Sequence, residues 1–449
     1  MSGRTPGAIS PAALALVLKF RNVRTVLLSA GLVALLAGGA CGGSQTESTS
    51  DTSETSTQVS LSTPAQTTPT TTEPAFWISD LDQIDARVRE RHNDPFSVVA
   101  EAEWNARLAE LKESFPSATP DERIVGMASL AGLLDTHTQF WSPDQTMYEV
   151  LLYRFSDGVF VVAASDPSMI GWRLESINGT SVVDLEALMQ PLIPADNESA
   201  YLGATYLMSY VDYLHGLGVV DDPAKPAFAF SKPDGSAVTI DLEASDADDF
   251  FEAQHALGAL VGDENEAVRR RSEPIWWRTD EATGSFLLAL NEHSSEGRSE
   301  AIDAMTTALD SGAADRVVVD MRYLRGGDGS QLIPIVDALK ADTRIYEPGV
   351  LTVLIGRENE SAATVIAFLL ERIRAATFVG EMTPARADNF LCYCAEDPLS
   401  ESGYIFSVPE SRSGNGDTRM AIEPDVPIAL SSVDFFAGRD PALETALAG

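Results

Sequence analysis

The sequence has few cysteines and few basic residues, and each shortage excludes a class of protein. Its three cysteines, Cys41, Cys392 and Cys394, are too few for a disulfide framework. A bridge between Cys392 and Cys394 would close across a single residue, which strains disulfide geometry, so we expect free thiols there. Only 31 lysines and arginines stand against 67 aspartates and glutamates, which gives a net charge of −36. Such an acidic surface repels phosphate backbones, which excludes nucleic acid as a partner.

Motifs that hold metals or cofactors are also missing from the sequence. The 5 histidines include no His-x-x-x-His pair, and no group of cysteines and histidines has the spacing of metal ligands. Neither a P-loop nor a glycine loop of the dinucleotide-binding type is present. We therefore expect no metal and no cofactor. The chain does contain 44% hydrophobic residues, enough to bury a core, so disorder of the whole chain is excluded.

The N-terminal apolar run is too short to cross a bilayer comfortably. Residues 26–40 are uncharged and mostly apolar, and they follow Lys19, Arg21 and Arg24. A basic flank, a short apolar stretch and small residues before a cut are typical of a signal peptide over residues 1–40. Because Cys41 follows at once, the segment resembles a bacterial lipoprotein signal. The resemblance implies a lipidated Cys41, a membrane anchor and a location outside the cytoplasm. An ordinary cleaved signal with an incidental cysteine is the alternative.

The rest of the chain divides by composition into a tether and a folded part. Residues 41–75 are dominated by serine, threonine and proline, which indicates a disordered linker after the anchor. Residues 76–147 carry helical patterns, including a capping box that starts at Thr119-Pro120-Asp121-Glu122. Residues 148–262 mix short strands, turns and helices, which predicts an inserted α+β subdomain. Residues 263–449 form the predicted core of the protein.

The core alternates strands and helices. Residues 316–321 and 350–355 are apolar runs typical of strands buried on both faces, and residues 330–341 and 361–374 have helical patterns. Repeated βαβ units imply an α/β fold with a largely parallel sheet covered by helices. Ligands of such sheets gather beyond the carboxyl ends of the strands.

Two features follow neighbouring strands at that edge. Gly326 and Gly327 come after the strand that ends near residue 321, and Ser361 comes after the strand that ends at residue 355. Ser361 would begin a helix, where free N–H groups and the positive end of the helix dipole meet its hydroxyl. The N–H of Ala362, together with one from the Gly326-Gly327 loop, would form an oxyanion hole. The simpler interpretations are that Ser361 only caps the helix and that the Gly326-Gly327 loop is only a turn.

Six segments, in order, resemble the tail-specific (C-terminal processing) serine peptidases. They are Leu134-Asp-Thr-His-Thr138, Val319-Asp-Met-Arg-Tyr-Leu-Arg-Gly-Gly327, Val353-Leu-Ile-Gly-Arg-Glu-Asn-Glu-Ser-Ala-Ala363, Phe378-Val-Gly-Glu-Met-Thr383, Ile422-Glu-Pro-Asp-Val-Pro427 and Gly438-Arg-Asp-Pro-Ala-Leu-Glu444. The resemblance implies a crotonase-like ββα core, a reduced PDZ-like segment within the inserted subdomain, and hydrolysis of protein or peptide substrates. It also implies that Ser361 is the nucleophile.

A nucleophilic serine needs a neighbouring general base. Many members of the family use a lysine where this sequence has Arg386, and a permanently protonated guanidinium cannot act as a base. The chain should therefore resemble the histidine-using branch of tricorn-like and interphotoreceptor-retinoid-binding-protein-like relatives. His137, within the matching motif, is then the candidate base. Glu381 is the predicted third group that orients its imidazole. The rival carboxylates are Asp388, Asp417 and Glu423.

The sequence also departs from the family pattern. Glu360 places a negative charge beside the nucleophile, and Pro384-Ala385 replaces a usual Gly-Gly. Three hypotheses therefore stay open: a serine peptidase, a catalytically degenerate lipoprotein that binds peptides on the same fold, and an envelope scaffold without a groove function.

Overall fold

Three helices lead the part of the chain that the structure describes. The computed structural model describes residues 73–143, 145–247, 250, 270–391 and 398–449. The helices are α1 (Glu73–Arg91), α2 (Glu101–Ser114) and α3 (Pro120–Ala131), and two short strands follow, β1 (Gln139–Trp141) and β2 (Thr146–Tyr148). The predicted capping box is confirmed: Thr119 accepts a hydrogen bond from the Glu122 N–H, and the Glu122 carboxylate accepts one from the Thr119 N–H. No helix within these ranges is both long and apolar enough to cross a membrane.

A six-stranded antiparallel sheet lies in the middle of the chain. Its region contains β3 (Val150–Phe155), β4 (Gly158–Ala164), β5 (Arg173–Ile177), β6 (Thr180–Ser181), α4 (Val182–Met189), α5 (Glu198–Gly203), α6 (Val211–Gly216), β7 (Ala227–Ser231), β8 (Ala237–Asp241) and β9 (Ala244–Asp246). The strand order is β3-β4-β5-β7-β8, with β6 paired to β5. Asn178 and Gly179 both have positive φ, 48° and 81°, as a tight turn between β5 and β6 requires. The predicted Asn-Gly turn is confirmed.

The last third of the chain builds the second sheet. Its elements are β10 (Ile275–Asp280), β11 (Ser285–Leu290), α7 (Arg298–Ser311), β12 (Arg316–Asp320), α8 (Ile333–Ala341), β13 (Leu351–Ile355), α9 (Ala362–Glu371), β14 (Thr377–Gly380), β15 (Phe390–Leu391), β16 (Ile405–Ser407), β17 (Ser411–Arg412), β18 (Val426–Pro427), α10 (Ser432–Phe436) and α11 (Pro441–Ala448). The strand order is β10-β11-β12-β13-β14-β18, and every pair is parallel except β10 with β11.

Helices cover both faces of this sheet. Val319, Val353 and Phe378 pack on one face against α7, α8 and α9, and Val318 and Leu354 pack on the other against α11. Since both faces are buried, the strands are continuous apolar runs, as the sequence predicts. The α/β fold class is confirmed. The finer crotonase-like and PDZ-like assignments stay predictions.

Strand β1 ties the beginning of the fold to its end. It pairs antiparallel with β16, and Phe140 lies opposite Phe406. Phe406 is also buried in the same apolar cluster as Trp104 of α2, Phe115 directly after α2 and Met127 of α3. The loop between α3 and β1, residues 132–138, is therefore anchored at both ends to the rest of the molecule.

Candidate active site

Ser361 occupies a strained position between a strand and a helix. It lies six residues after the end of β13 and directly precedes α9, and its backbone has φ 55° and ψ −123°. Side chains disfavour this region, and only Asn178 shares a positive φ among the described non-glycine residues. The Ser361 hydroxyl makes no capping hydrogen bond to the helix. Ser361 is therefore the N-cap residue of α9 by position, but its hydroxyl does not cap the helix.

Buried Asn359 holds the turn before Ser361. Its Nδ2 donates to the carbonyl oxygens of Met321 and Leu324, at 2.5 and 2.8 Å, and its Oδ1 accepts from the Gly356 N–H at 2.8 Å. The side chain is fully buried, so these bonds are shielded from competition with water. Asn359 thus joins the serine turn to the loop after β12. Asn359 lies within the serine motif, but no local pattern in the sequence predicts these contacts.

The structure brings the predicted oxyanion-hole residues to Ser361. A Cβ atom added to Gly326 would lie 3.0 Å from the Ser361 Cβ and 3.5 Å from its Oγ. Glycine is therefore required for the loop to approach the serine so closely. The N–H groups of Gly326, Gly327 and Ala362 donate to no acceptor within the described ranges. Two of these three unused donors, on Gly326 and Ala362, therefore belong to residues directly beside the candidate nucleophile.

A second histidine packs under this glycine loop. His293, in the loop after β11, contacts the Arg325 carbonyl oxygen through Nε2 at 2.8 Å. A Cβ atom on Gly327 would come within 2.7 Å of the His293 Cδ2. Burial lowers the pKa of His293, although the Arg325 hydrogen bond and the Asp328 charge oppose that effect. Sequence reasoning missed His293 because it belongs to none of the quoted motifs.

His137 is buried beside Asp135 in the loop between α3 and β1. Its backbone N–H donates to Asp135 Oδ1 at 2.9 Å, and the other carboxylate oxygen lies 2.7 Å from His92 Nε2. Burial works to raise the Asp135 pKa, but the His92 hydrogen bond and the charges of both imidazoles leave that pKa below its usual value. Neither ring nitrogen of His137 has a hydrogen-bond partner within the described residues. The imidazole is therefore not bonded to the Ser361 hydroxyl in this state.

One short segment contacts the surroundings of both candidates. Asn389 donates a hydrogen bond to the Ser361 carbonyl oxygen at 2.7 Å. The next residue, Phe390, packs edge-on against His92 with ring centroids 5.2 Å apart. His92 in turn contacts Asp135, which accepts from the His137 N–H. A continuous set of contacts therefore connects the serine turn to the histidine loop.

Arg386 is fully engaged in an ion pair. Its guanidinium lies 2.7 Å from Asp196 Oδ1, and both side chains are almost completely buried. It also stacks over the Phe390 ring, 4.9 Å from the centroid. The neighbouring Pro384 carbonyl accepts a hydrogen bond from Thr136, next to His137. Arg386 therefore fixes the loop beside the candidate base and supplies no base of its own.

The structure does not bring Glu381 to His137. Its carboxylate is paired with Arg357, with 3.0 Å between Arg357 Nε and Glu381 Oε2, and it makes no bond to His137. The reason is tertiary: β14 ends beside β13, so the residue after β14 meets the residues after β13. The three rival carboxylates also have other partners or are exposed. Asp388 accepts from Ser413 and Asn415, Asp417 pairs with Arg419, and Glu423 is exposed.

Glu360 directly precedes Ser361 and is partly exposed. It forms no ion pair with any described residue, whereas neighbouring Glu358 pairs with Arg271 at 2.9 Å. Tyr206, from the 3-10 turn Thr205–Ser209, has a raised pKa because of burial, and the charge of Glu360 adds to that effect. The carboxylate beside the nucleophile is thus close enough to act on a tyrosine of the middle region.

Several predicted features fall on residues outside the described ranges. They are the signal peptide, Cys41, most of the linker, and Cys392 and Cys394. Within the described ranges, no group of three or more histidine, cysteine, aspartate or glutamate side chains is arranged to hold a metal ion.

Comparison with solved structures shows the same fold in CPAF. Mature CPAF complexed with lactacystin is 12% identical, covers 83% of this chain and 97% of its own, and gives a TM-score of 0.58. A CPAF mutant is 13% identical over 84% and 97%, with a TM-score of 0.56. The photosystem II D1 C-terminal processing protease is 15% identical over 80% and 93%, with a TM-score of 0.39. No family model and no curated protein matches at the level of sequence. Over more than four-fifths of its length, this chain has the fold of mature CPAF.

Proposed function

We propose that this protein is a serine-type endopeptidase of the tail-specific protease family, which hydrolyses exported proteins or peptides. The observation that carries the proposal is the strained turn at Ser361, together with the close approach of Gly326. A Cβ atom added to Gly326 would lie 3.0 Å from the Ser361 Cβ. Unused N–H groups next to a free hydroxyl on a strained turn are what acyl transfer needs. The order of the six motifs supports the same conclusion, and so does the fold shared with CPAF.

The proposed chemistry uses Ser361 and His137. The Ser361 Oγ attacks the substrate carbonyl carbon while its proton passes to the His137 imidazole, and the carbonyl electron pair moves onto oxygen. The N–H groups of Gly326, Gly327 and Ala362 receive that negative charge. Collapse of the intermediate breaks the C–N bond, and His137 gives its proton to the leaving amine. Water then attacks the acyl-serine by the same route and restores Ser361.

His137 has to move onto Ser361 for this reaction. Its two ring nitrogens have no partner in the described part of the chain, so rotation of the ring breaks no hydrogen bond. Catalytic hydrogen bonds of unliganded enzymes are commonly loose and tighten when substrate binds. The carboxylate of Asp135 lies beside the base and is suited to stabilise the imidazolium that forms.

The decisive experiment compares wild type with Ser361→Ala. Purified full-length protein is treated with a fluorophosphonate probe and incubated with a peptide library that is read by mass spectrometry. Wild type should be labelled and should cleave peptides, whereas Ser361→Ala should do neither. Ser311→Ala, an exposed serine at the end of α7, is the matched control and should behave as wild type. Peptide cleavage by Ser361→Ala at the wild-type rate would refute the proposal.

A peptide-binding protein without chemistry is the second candidate. The absence of a bond between His137 and Ser361 in the described residues and the ion-paired Arg386 favour it. It predicts that library peptides bind to wild type and to Ser361→Ala equally, and that neither protein is labelled by the probe.

We also propose that the protein acts outside the cytoplasm, tethered through a lipidated Cys41. The basic flank, the short apolar stretch and the linker of residues 41–75 support this location. Metabolic labelling with a radioactive fatty acid should mark wild type but not Cys41→Ala. Equal labelling of the two proteins would refute a lipid anchor at Cys41.

A further inference from the structure

We propose that His293 is a positioning residue that sets the direction of the Arg325–Gly326 peptide, and so aims the Gly326 N–H of the oxyanion hole. This inference rests on the proposed function, because it assigns a role within the same site. The hydrogen bond of 2.8 Å between His293 Nε2 and the Arg325 carbonyl oxygen is the starting observation. Since a carbonyl oxygen only accepts, Nε2 carries the proton of this bond.

The geometry of a peptide bond links this contact to the oxyanion hole. Arg325 supplies the C=O and Gly326 supplies the N–H of one and the same peptide group. The described part of the chain contains no cis peptide bond, so these two groups point in opposite directions. By holding the Arg325 oxygen, His293 therefore fixes the Gly326 N–H on the far side of the peptide plane.

The loop that contains Gly326 is flexible, so the orientation of the Arg325–Gly326 peptide needs a contact that fixes it. Glycine at position 326 tolerates backbone conformations that other residues do not, so the peptide before it has two accessible orientations. The N–H of Gly326 has no acceptor of its own within the described residues, so nothing on that side selects an orientation before substrate arrives. Of the two groups of this peptide, the Arg325 oxygen is the one that a side chain holds.

Packing and burial keep His293 in place. A Cβ on Gly327 would lie 2.7 Å from the His293 Cδ2 and 3.2 Å from its Cβ and Cγ, so the loop lies directly on the ring. His293 Nδ1 is buried and has no hydrogen-bond partner among the described residues. It therefore has no contact that competes with Nε2 for the orientation of the ring. Protonation at Nδ1 is opposed by burial, which lowers the pKa of this imidazole.

Two variants separate the hydrogen bond from the space that the ring fills. His293→Gln keeps an N–H donor at a similar reach, whereas His293→Leu fills similar space without a donor. In the peptide assay, His293→Leu should lower kcat roughly 100-fold with little change in KM, the size expected for one lost oxyanion donor. His293→Gln should recover most of that loss. A His293→Leu enzyme with wild-type kcat, or equal losses in both variants, would overturn the assignment.

A structural measurement tests the inference even if no hydrolysis is found. Crystal structures of the full-length variants should show the Arg325 carbonyl in its original direction in His293→Gln and rotated in His293→Leu. An unrotated carbonyl in His293→Leu overturns the inference. If neither variant folds, nitrogen-15 NMR of wild type should show His293 protonated at Nε2, and a proton on Nδ1 alone would refute the bond. If the proposed function is wrong but this inference is right, the probe will not label wild type, and the Arg325 carbonyl of wild type will still be bonded to His293.

Discussion

The Asn389 side chain donates a hydrogen bond of 2.7 Å to the carbonyl oxygen of Ser361, the residue whose φ of 55° is the most unusual backbone feature of the core. Asn389 is fully buried, so the bond is protected from water. It holds the serine turn from the side that also carries Phe390 and, through it, His92. The strain at Ser361 is thus sustained by a tertiary contact rather than by the turn alone.

We expect Ser361→Gly to be more stable than Ser361→Ala. A residue with a Cβ in this backbone region costs about 1–3 kcal/mol, and glycine removes that cost while adding about 0.5–1 kcal/mol of chain entropy. The two variants both lack the hydroxyl, so the backbone strain and the smaller entropy cost of glycine are what differ between them. Denaturant midpoints and Tm values measure the difference. A glycine variant no more stable than the alanine variant would argue against strain at this position.

Asp135 and Glu381 should behave differently when each loses its charge. Asp135→Asn should slow labelling of Ser361 by about 10-fold or more, because the carboxylate that stabilises an imidazolium at His137 is gone. Glu381→Gln should lower Tm, since buried Arg357 loses its partner, and should leave the labelling rate near that of wild type. Labelling kinetics and melting curves of both variants test this. If Glu381→Gln slowed labelling more than Asp135→Asn did, Glu381 would be the carboxylate that supports His137.

Glu360 should favour substrates with a basic residue next to the scissile bond. Its unpaired carboxylate precedes the nucleophile, and a half-exposed charge pair a few ångströms apart contributes about 1 kcal/mol. Glu360→Gln should therefore lower kcat/KM for a lysine-containing peptide by about 5-fold, and raise it for the matched glutamate peptide. Glu300→Gln, an exposed acid on α7, is the control. A preference that is unchanged by Glu360→Gln, or that does not weaken in high salt, would contradict this expectation.

Stability should depend on pH through Asp212. Burial raises the pKa of Asp212 to about 7, and the charge of Asp121 adds to that shift. The unfolded chain has an ordinary pKa near 4, so the folded state holds the proton more tightly. The stabilisation is therefore fully present below about pH 4 and is lost as pH rises through about 7.

The variant Asp212→Asn cannot ionise and isolates this effect. Above pH 7 its Tm should exceed that of wild type, by the equivalent of at most a few kcal/mol, and the advantage should shrink towards pH 4. Asp303→Asn, on the exposed face of α7, is the matched control. A Tm difference that is constant with pH would rule out an elevated Asp212 pKa.

Local patterns in the sequence were enough to predict much of the fold. Apolar runs that alternate with helical periods predicted the parallel sheet, because strands covered on both faces must be apolar throughout. The capping box at Thr119 and the turn at Asn178-Gly179 were predictable for the same reason: each depends on residues within four positions of one another. The approach of Gly326 to Ser361 also followed, since parallel strands end at one edge of their sheet.

Local patterns therefore predict the α/β architecture and the approach of the Gly326-Gly327 loop to Ser361. The charges and amides that support this pair depend instead on how distant elements pack. Glu381 was assigned to His137 from its motif, yet the register of β13 and β14 gives it to Arg357. Asn389, His92 and His293 carry no sequence signal, because their partners lie between 28 and 43 positions away along the chain. A side chain's partner over such distances is set by how the elements pack, which no local pattern records.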